Sequence, residues 1–257
     1  MLRLRSLASG SAGNATLVEA TDGTQRTRVL IDCGLGWRQL AASLAGAGLS
    51  VDELDAIFIT HEHGDHVGCA PLVAARHGVP LWASAGTRQA LRQAGCELPI
   101  ALTADGETVA IGALQIRPFT VPHDAREPLQ LTCTDGDRTL GVLTDLGHVT
   151  PHVLGRLAGC HALMLESNHD PDMLARSRYP DFLKRRVGGP HGHLSNAQAA
   201  RALRALRHDR LGTVVAAHLS ERNNLPQLVR DAFADALGCA SGDVLVTSRH
   251  GLDWLRA

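Results

Sequence analysis

Thr60-His61-Glu62-His63-Gly64-Asp65-His66 is the stretch from which the rest of the chain can be read. It follows an apolar run, Leu54–Thr60, that reads as a buried strand. It precedes Pro71–His77, which reads as a helix closed by Gly78. Side chains alternate along extended backbone, so His61 and His63 face the same side and two imidazoles converge. Gly64 then turns the chain and presents Asp65 and His66 to an adjacent point. One cation can take the first pair and a second cation the other. Nitrogen and carboxylate oxygen donors suit Zn²⁺, Mn²⁺ or Fe²⁺ better than ions that favour thiolate. The plain alternative is a polar surface loop. Three histidines and an aspartate within six residues count against it.

Outward from this loop, short apolar strands alternate with helical stretches. Thr16–Ala20 and Arg28–Asp32 flank Asp22-Gly23 and read as a hairpin. Trp37–Ala47 and Thr87–Gln93 read as helices, with Val79–Ser84 a strand between them. Val109–Val121, Leu129–Cys133 and Thr139–Thr144 read as strands, the last two joined by a turn at Thr134–Arg138. Pro151–Leu157 reads as a helix and Ala162–Glu166 as a strand. Ser195–Arg207 is amphipathic, with Ser195 and Asn196 as caps. Thr213–Ala217, a helix over Leu225–Leu237, and terminal strands Val244–Thr247 and Leu252–Leu255 complete the chain. The pattern predicts an α/β fold in which two sheets pack together between helical layers. It is expected to form one domain, residues 1–257, with β-rich halves dividing near residue 150.

The 257 residues include 25 Lys+Arg and 26 Asp+Glu, a formal net charge of -1. No bulk positive field exists, so any grip on nucleic acid must come from a local patch. With 44% hydrophobic residues and balanced charge, disorder is not expected. No apolar run approaches the ~20 residues of a membrane-spanning helix. The N-terminus has two arginines, Arg3 and Arg5, without an apolar stretch after them, so no signal peptide is expected. Six separated cysteines form no Cys-x-x-Cys pair and read as reduced thiols of a cytoplasmic protein. Histidine is the anomaly, at 14 residues. Aromatic content of 3% does not support extensive base stacking, and Trp37, Trp82 and Trp254 are expected in or beside the core.

Four further positions extend the pattern. Asp32 lies in Leu30-Ile31-Asp32-Cys33-Gly34, and His123 in Val121-Pro122-His123-Asp124. Asp145 lies in Leu143-Thr144-Asp145-Leu146-Gly147, and His218 in Ala217-His218-Leu219-Ser220. Singly, each reads as an ordinary polar residue at a strand end or turn. In order and spacing, together with the loop, they resemble the metallo-β-lactamase superfamily. The resemblance implies a four-layer αββα sandwich of two mixed β-sheets flanked by helices. It implies two divalent metal ions, Zn²⁺ or Mn²⁺, with Fe²⁺ a third candidate. His61, His63 and His123 would hold one ion. Asp65, His66 and His218 would hold the other, with Asp145 and a bridging water or hydroxide shared. Asp32 would support the metal loop.

Four blocks narrow the resemblance: Leu7–Asn14, Glu166–Asp170, Gly192–Asn196 and His218–Arg222. They resemble the YycJ/WalJ-type branch and, more distantly, ribonuclease Z. That branch implies hydrolysis of phosphodiester bonds in DNA or RNA, in the manner of a 5′–3′ exonuclease. Asp65, His193 and Glu166 are then the candidates for catalytic roles. His193 would assist the leaving group and Glu166 would orient it; a capping or surface glutamate is the plain reading of Glu166. The long inserted arm of ribonuclease Z is missing, Asn223 stands where its aromatic residue would fall, and no β-CASP insertion interrupts the chain. Ser220 and Arg222 are candidates for holding a phosphate, against a solvated loop. Ser11 and Asn14 are candidates for facing substrate, against an ordinary Gly-rich turn. Lys184-Arg185-Arg186 reads as a solvated helix face or a contact to a nucleic-acid backbone. Two other functions stay open: a metallo-hydrolase of a cyclic phosphodiester, lactone or thioester, which the neutral charge favours, and a metal-stabilised binding module without catalysis. A β-lactam hydrolase is not expected.

Overall fold

The structure, a computed structural model, describes residues 1–257. Two seven-stranded mixed sheets face each other. The first contains β1 (Leu2–Ala8), β2 (Ala15–Thr21), β3 (Arg26–Ile31), β4 (Ala56–Phe58), β5 (Leu81–Ala83) and β6 (Ile100–Leu102). The second contains β7 (Val109–Ile111), β8 (Leu114–Thr120), β9 (Leu129–Thr134), β10 (Thr139–Leu143), β11 (Ala162–Glu166), β12 (Thr213–Ala217) and β13 (Leu245–Val246). The last strand, β14 (Leu252–Arg256), returns to the first sheet and pairs antiparallel with β1.

Alternation along the strands builds the layers. In β2 and β3, Val18, Ala20, Val29 and Ile31 point into the core between the sheets, where they meet Ile116, Leu131, Val142 and Met164. The opposite faces, through Leu17 and Leu30, receive helices α1 (Trp37–Gly46) and α3 (Ala70–His77), with α2 (Gly64–Val67) between them in the chain. Helix α4 (Ala85–Gln93) adds Leu91 to that layer. Helices α5 (Pro151–Leu157), α8 (Asn196–Leu206) and α9 (Pro226–Leu237) cover the second sheet through Val153, Leu157, Leu203, Val229 and Phe233. The order helix, sheet, sheet, helix is the expected sandwich. Leu131 is fully buried between the sheets, so Leu131→Ala should cost about 2–5 kcal/mol.

Two short helices, α6 (Pro171–Arg176) and α7 (Asp181–Val187), lie in the link between β11 and α8. The chain changes sheets between Leu102 and Val109, not near residue 150. Strands β7 to β10 pair antiparallel with one another in the second sheet, so they follow their hairpin partners and not the first half. Val109–Val121 is itself two strands, folded back at Gly112 so that Ile111 pairs with Leu114.

Strand direction decides where the site lies. β3 and β4 are parallel. β8 and β10 are both antiparallel to β9, and β10, β11 and β12 are mutually parallel. The segments that follow β3, β4, β8, β10 and β12 therefore emerge at one edge of the sandwich. These segments carry Asp32, the histidine loop, His123, Asp145 and His218.

Candidate metal centre

The structure brings all seven proposed donors together. His61 Nε2 lies 3.0 Å from His63 Nδ1, which lies 3.3 Å from His123 Nε2. Beside them, His66 Nε2 lies 3.1 Å from Asp145 Oδ2 and 3.7 Å from Asp65 Oδ2. His218 Nε2 lies 3.8 Å from Asp65 Oδ2. The donor atoms fall into overlapping groups, His61/His63/His123, His61/His66/Asp145 and Asp65/His66/His218.

Far-side hydrogen bonds fix which nitrogen faces the centre. A carboxylate only accepts, so His66 Nδ1 donates to Asp32 Oδ2 (2.8 Å) and turns Nε2 toward the centre. Thr60 Oγ1 donates to Asp32 and accepts from His61 Nδ1 at 3.0 Å, which frees His61 Nε2. His123 Nδ1 donates to the Gly192 carbonyl at 3.1 Å. His218 Nδ1 donates to Glu166 Oε1 at 3.1 Å. The nitrogens of His61 and His123 that face the centre stand 3.0 and 3.3 Å from His63 Nδ1. That spacing matches tetrahedral ligands about 2.0–2.1 Å from a shared cation, which stand about 3.3 Å apart. Asp145 Oδ2 and His218 Nε2 are buried without a hydrogen-bond partner, a costly arrangement that a cation would satisfy. The donor set thus suits divalent metal ions.

Backbone strain collects at the same place. The only non-glycine residues with positive φ are Asp32 (58°) and His218 (55°). Asp32 is held by its own N–H to the Phe58 carbonyl and by its carboxylate, which accepts from Thr60 N–H at 2.8 Å. His218 N–H donates to Ser9 Oγ at 2.8 Å. Gly34 packs so closely on the metal loop that an added Cβ would collide with the Asp65 carbonyl.

The electrostatics follow from crowding carboxylates and imidazoles in a buried space. Burial opposes charge on His218, yet Asp145, Asp65 and Glu166 override it and raise its pKa to about 10. Burial likewise opposes charge on His66, but Asp145 and Asp32 lift it well above the ordinary value. His61 goes the other way: burial and the neighbouring His66 hold it well below the usual range.

Glu166 is fully buried at the end of β11. Its Oε1 accepts from His193 Nδ1 at 2.7 Å as well as from His218. Its Oε2 accepts from the N–H groups of Leu146 and Leu194, each at 3.1 Å. A surface or capping glutamate would have none of these partners. His193 lines a cleft of about 420 Å³ together with Asp65, Asp145 and His218. It is seated by its N–H, which donates to the Val187 carbonyl at 2.8 Å. A side chain at Gly192 would collide with the Arg186 and Val187 carbonyls, so the close approach of α7 to the His193 segment requires glycine there.

The other candidates separate. Ser11 is exposed and lines the cleft. Asn14 is buried and turns inward: its N–H donates to the Asp65 carbonyl at 2.8 Å, and its Nδ2 lies 3.1 Å from His66 Nε2. Ser220 is buried and its hydroxyl accepts from the Asn223 N–H, and Arg222 is exposed; neither lines the cleft. Their sequence distance from His218 is short, but the turn after β12 carries them past the opening.

Asp124 joins the site without a distinguishing signal in the sequence, although it directly follows His123. Its Oδ1 lies 3.4 Å from His123 Nε2, and its Oδ2 accepts from Arg186 Nε at 2.5 Å. Tyr179, Leu183 and Val187 also line the cleft, and only the basic run beside them marks that segment in the sequence.

A model of the Beta-lactamase superfamily domain matches residues 27–218, which span all seven donors. The exodeoxyribonuclease YycJ of Bacillus anthracis is 33% identical over 90% of this chain and 87% of its own length. The exodeoxyribonuclease WalJ of Streptococcus pneumoniae is 31% identical over 91% of this chain and 87% of its own. Among solved structures, the metallo-β-lactamase fold protein YhfI from Bacillus subtilis superposes with a TM-score of 0.76 at 16% identity, covering 100% of this chain and 99% of that one. Architecture, site and sequence agree that the chain belongs to the metallo-β-lactamase superfamily of metallo-hydrolases, in the branch of the YycJ and WalJ proteins.

Proposed function

We propose that the protein is a dinuclear metal-dependent phosphodiesterase that acts as a nuclease, in the manner of an exonuclease on DNA or RNA. The observation that carries this reading is the convergence of seven donors beneath an open cleft that also presents His193. His61, His63 and His123 would hold one cation; Asp65, His66 and His218 the other, with Asp145 between them. Zn²⁺ and Mn²⁺ fit the donors best, with Fe²⁺ next. Bound there, the ions supply Lewis acidity toward the phosphoryl oxygens and an activated water.

The chain's own residues do the rest. Asp32, Thr60 and the Gly192 carbonyl hold three imidazoles in one tautomer, and Glu166 does the same for His218. Glu166 also fixes the proton on His193 Nδ1, so His193 meets substrate through Nε2 and serves as the proton donor or charged hydrogen-bond donor to the leaving oxygen. Asn14 belongs to the support of Asp65 and His66, and Ser11 is the better placed substrate contact. The reduced thiols suit a cytoplasmic enzyme, and no helix is long and apolar enough to cross a membrane.

A small phosphodiester is the second reading. It is favoured by the net charge of -1 and by a cleft within the usual size of small-molecule pockets. The test is hydrolysis by the Mn²⁺- or Zn²⁺-loaded protein of end-blocked single- and double-stranded DNA and RNA, beside bis-p-nitrophenyl phosphate and a lactone. Release of nucleotides from an unblocked end supports the nuclease; turnover of the small diester alone supports the second reading.

A further inference from the structure

A chain with a net charge of -1 that cuts nucleic acid must place positive charge where the strand binds. Arg176–Arg186 holds five cations, Arg176, Arg178, Lys184, Arg185 and Arg186, against the single carboxylate of Asp181. It also contains Tyr179, the only tyrosine, and Phe182, which at 66% exposure is the most exposed large apolar side chain.

The fold puts this segment at the metal centre. Tyr179, Leu183, Arg186 and Val187 line the cleft. Arg186 binds Asp124, whose other oxygen is 3.4 Å from His123 Nε2. Val187 receives the His193 N–H. Lys184 Nζ donates to the Ala175 carbonyl at 2.7 Å and ties α7 back to α6. Arg176, Arg178, Phe182 and Arg185 remain exposed. Phe182 and Arg185 are one helical turn apart, so an aromatic face and a cation stand side by side on the exposed face of α7, beside the residues that line the cleft.

We propose that Arg176–Arg186 is the strand-guiding wall of the cleft. Its arginines hold the phosphates of a single-stranded nucleic-acid end, and Phe182 and Tyr179 stack its bases, which delivers the terminal linkage to the metal centre. Exposed phenylalanine beside unpaired arginines matches a chain of alternating bases and phosphates, and two aromatic side chains suffice for two bases. The inference rests on the nuclease reading and adds where, and by which residues, the strand is held.

The test compares kcat/KM of the Mn²⁺-loaded protein for a labelled oligothymidylate 12-mer and for bis-p-nitrophenyl phosphate, across a salt series. Phe182→Ala should lower kcat/KM for the 12-mer about fivefold or more relative to the small diester. Phe182→Trp, which keeps a stacking face, should retain it. Arg178→Ala with Arg185→Ala should make the log–log salt slope for the 12-mer shallower by about 1.4, at about 0.7 for each phosphate that is no longer neutralised. All three side chains changed are exposed, and circular dichroism verifies folding. If the parent protein cuts the 12-mer and the variants keep its rate ratio and salt slope, the inference fails alone. If the parent turns over only the small diester, the nuclease reading fails and the inference with it.

Discussion

Replacing Glu166 by glutamine keeps the shape of a buried side chain and removes only its charge and half of its accepting capacity. In the native protein the carboxylate accepts four hydrogen bonds, from His193, His218, Leu146 N–H and Leu194 N–H. An amide can satisfy only one pair. If its oxygen serves the two backbone donors, its NH₂ faces both Nδ1 atoms and drives their protons to Nε2. His218 then loses the lone pair that would face a metal. Disturbing such a supporting group costs about 10- to 100-fold in metal affinity or activity, or about 1.4–2.7 kcal/mol. If the amide turns the other way, two buried N–H donors lose their acceptor, at about 1–3 kcal/mol each. Glu166→Gln should therefore show weaker Mn²⁺ binding by chelator competition, a lower urea midpoint, or both, together with a fall in kcat for bis-p-nitrophenyl phosphate. Parental metal affinity, midpoint and kcat in this variant would refute the claim that Glu166 sets the tautomers of His193 and His218.

Asp65→Ala and Asp145→Ala should remove turnover while leaving the circular dichroism spectrum intact; undiminished hydrolysis in either would rule out the mechanism. His193→Ala should reduce kcat by about 100-fold or more, the usual contribution of a positioned acid, with a smaller effect on metal affinity. If metal stoichiometry collapses instead, His193 is a ligand. Burial pushes the His169 imidazole down to about 4 from its ordinary 6.5, so the folded state takes its proton later than the unfolded chain. Its contribution to stability is complete above pH 6.5 and is lost as pH falls toward 4, about 3 kcal/mol over that window. Unfolding midpoints of the metal-free protein at pH 7 and pH 4.5 should thus differ less in His169→Gln than in the parent, and an equal difference would contradict this.

The histidine loop is legible in the sequence because its candidate donors are neighbours in the chain, but strand alternation does not set their direction: β4 ends at Phe58, the backbone bends at His61-Glu62, and α2 begins at Gly64. His123, Asp145 and His218 are legible only as an ordered set, since nothing local separates a ligand from an ordinary strand-end residue. Side-chain direction beyond that depends on tertiary packing. Asn14 and Ser11 share one turn, yet one faces inward to Asp65 and the other lines the cleft. Ser220 and Arg222 follow a donor closely but are carried past the opening. The change of sheet between residues 102 and 109 is hidden because hairpin partners decide sheet membership, and a one-glycine fold at Gly112 looks from sequence like a continuous strand. β1 is masked by the charge of Leu2-Arg3-Leu4-Arg5 at the terminus, although its alternation is that of a strand buried on one face.

Stepwise addition of Mn²⁺ to the metal-free protein, with bound metal and bis-p-nitrophenyl phosphate turnover followed in the same samples, decides whether a paired-cation centre powers hydrolysis. Two equivalents should bind, with turnover emerging as the second one fills. Full turnover at one equivalent, or two bound equivalents without turnover of this or any nucleic-acid substrate, would contradict it.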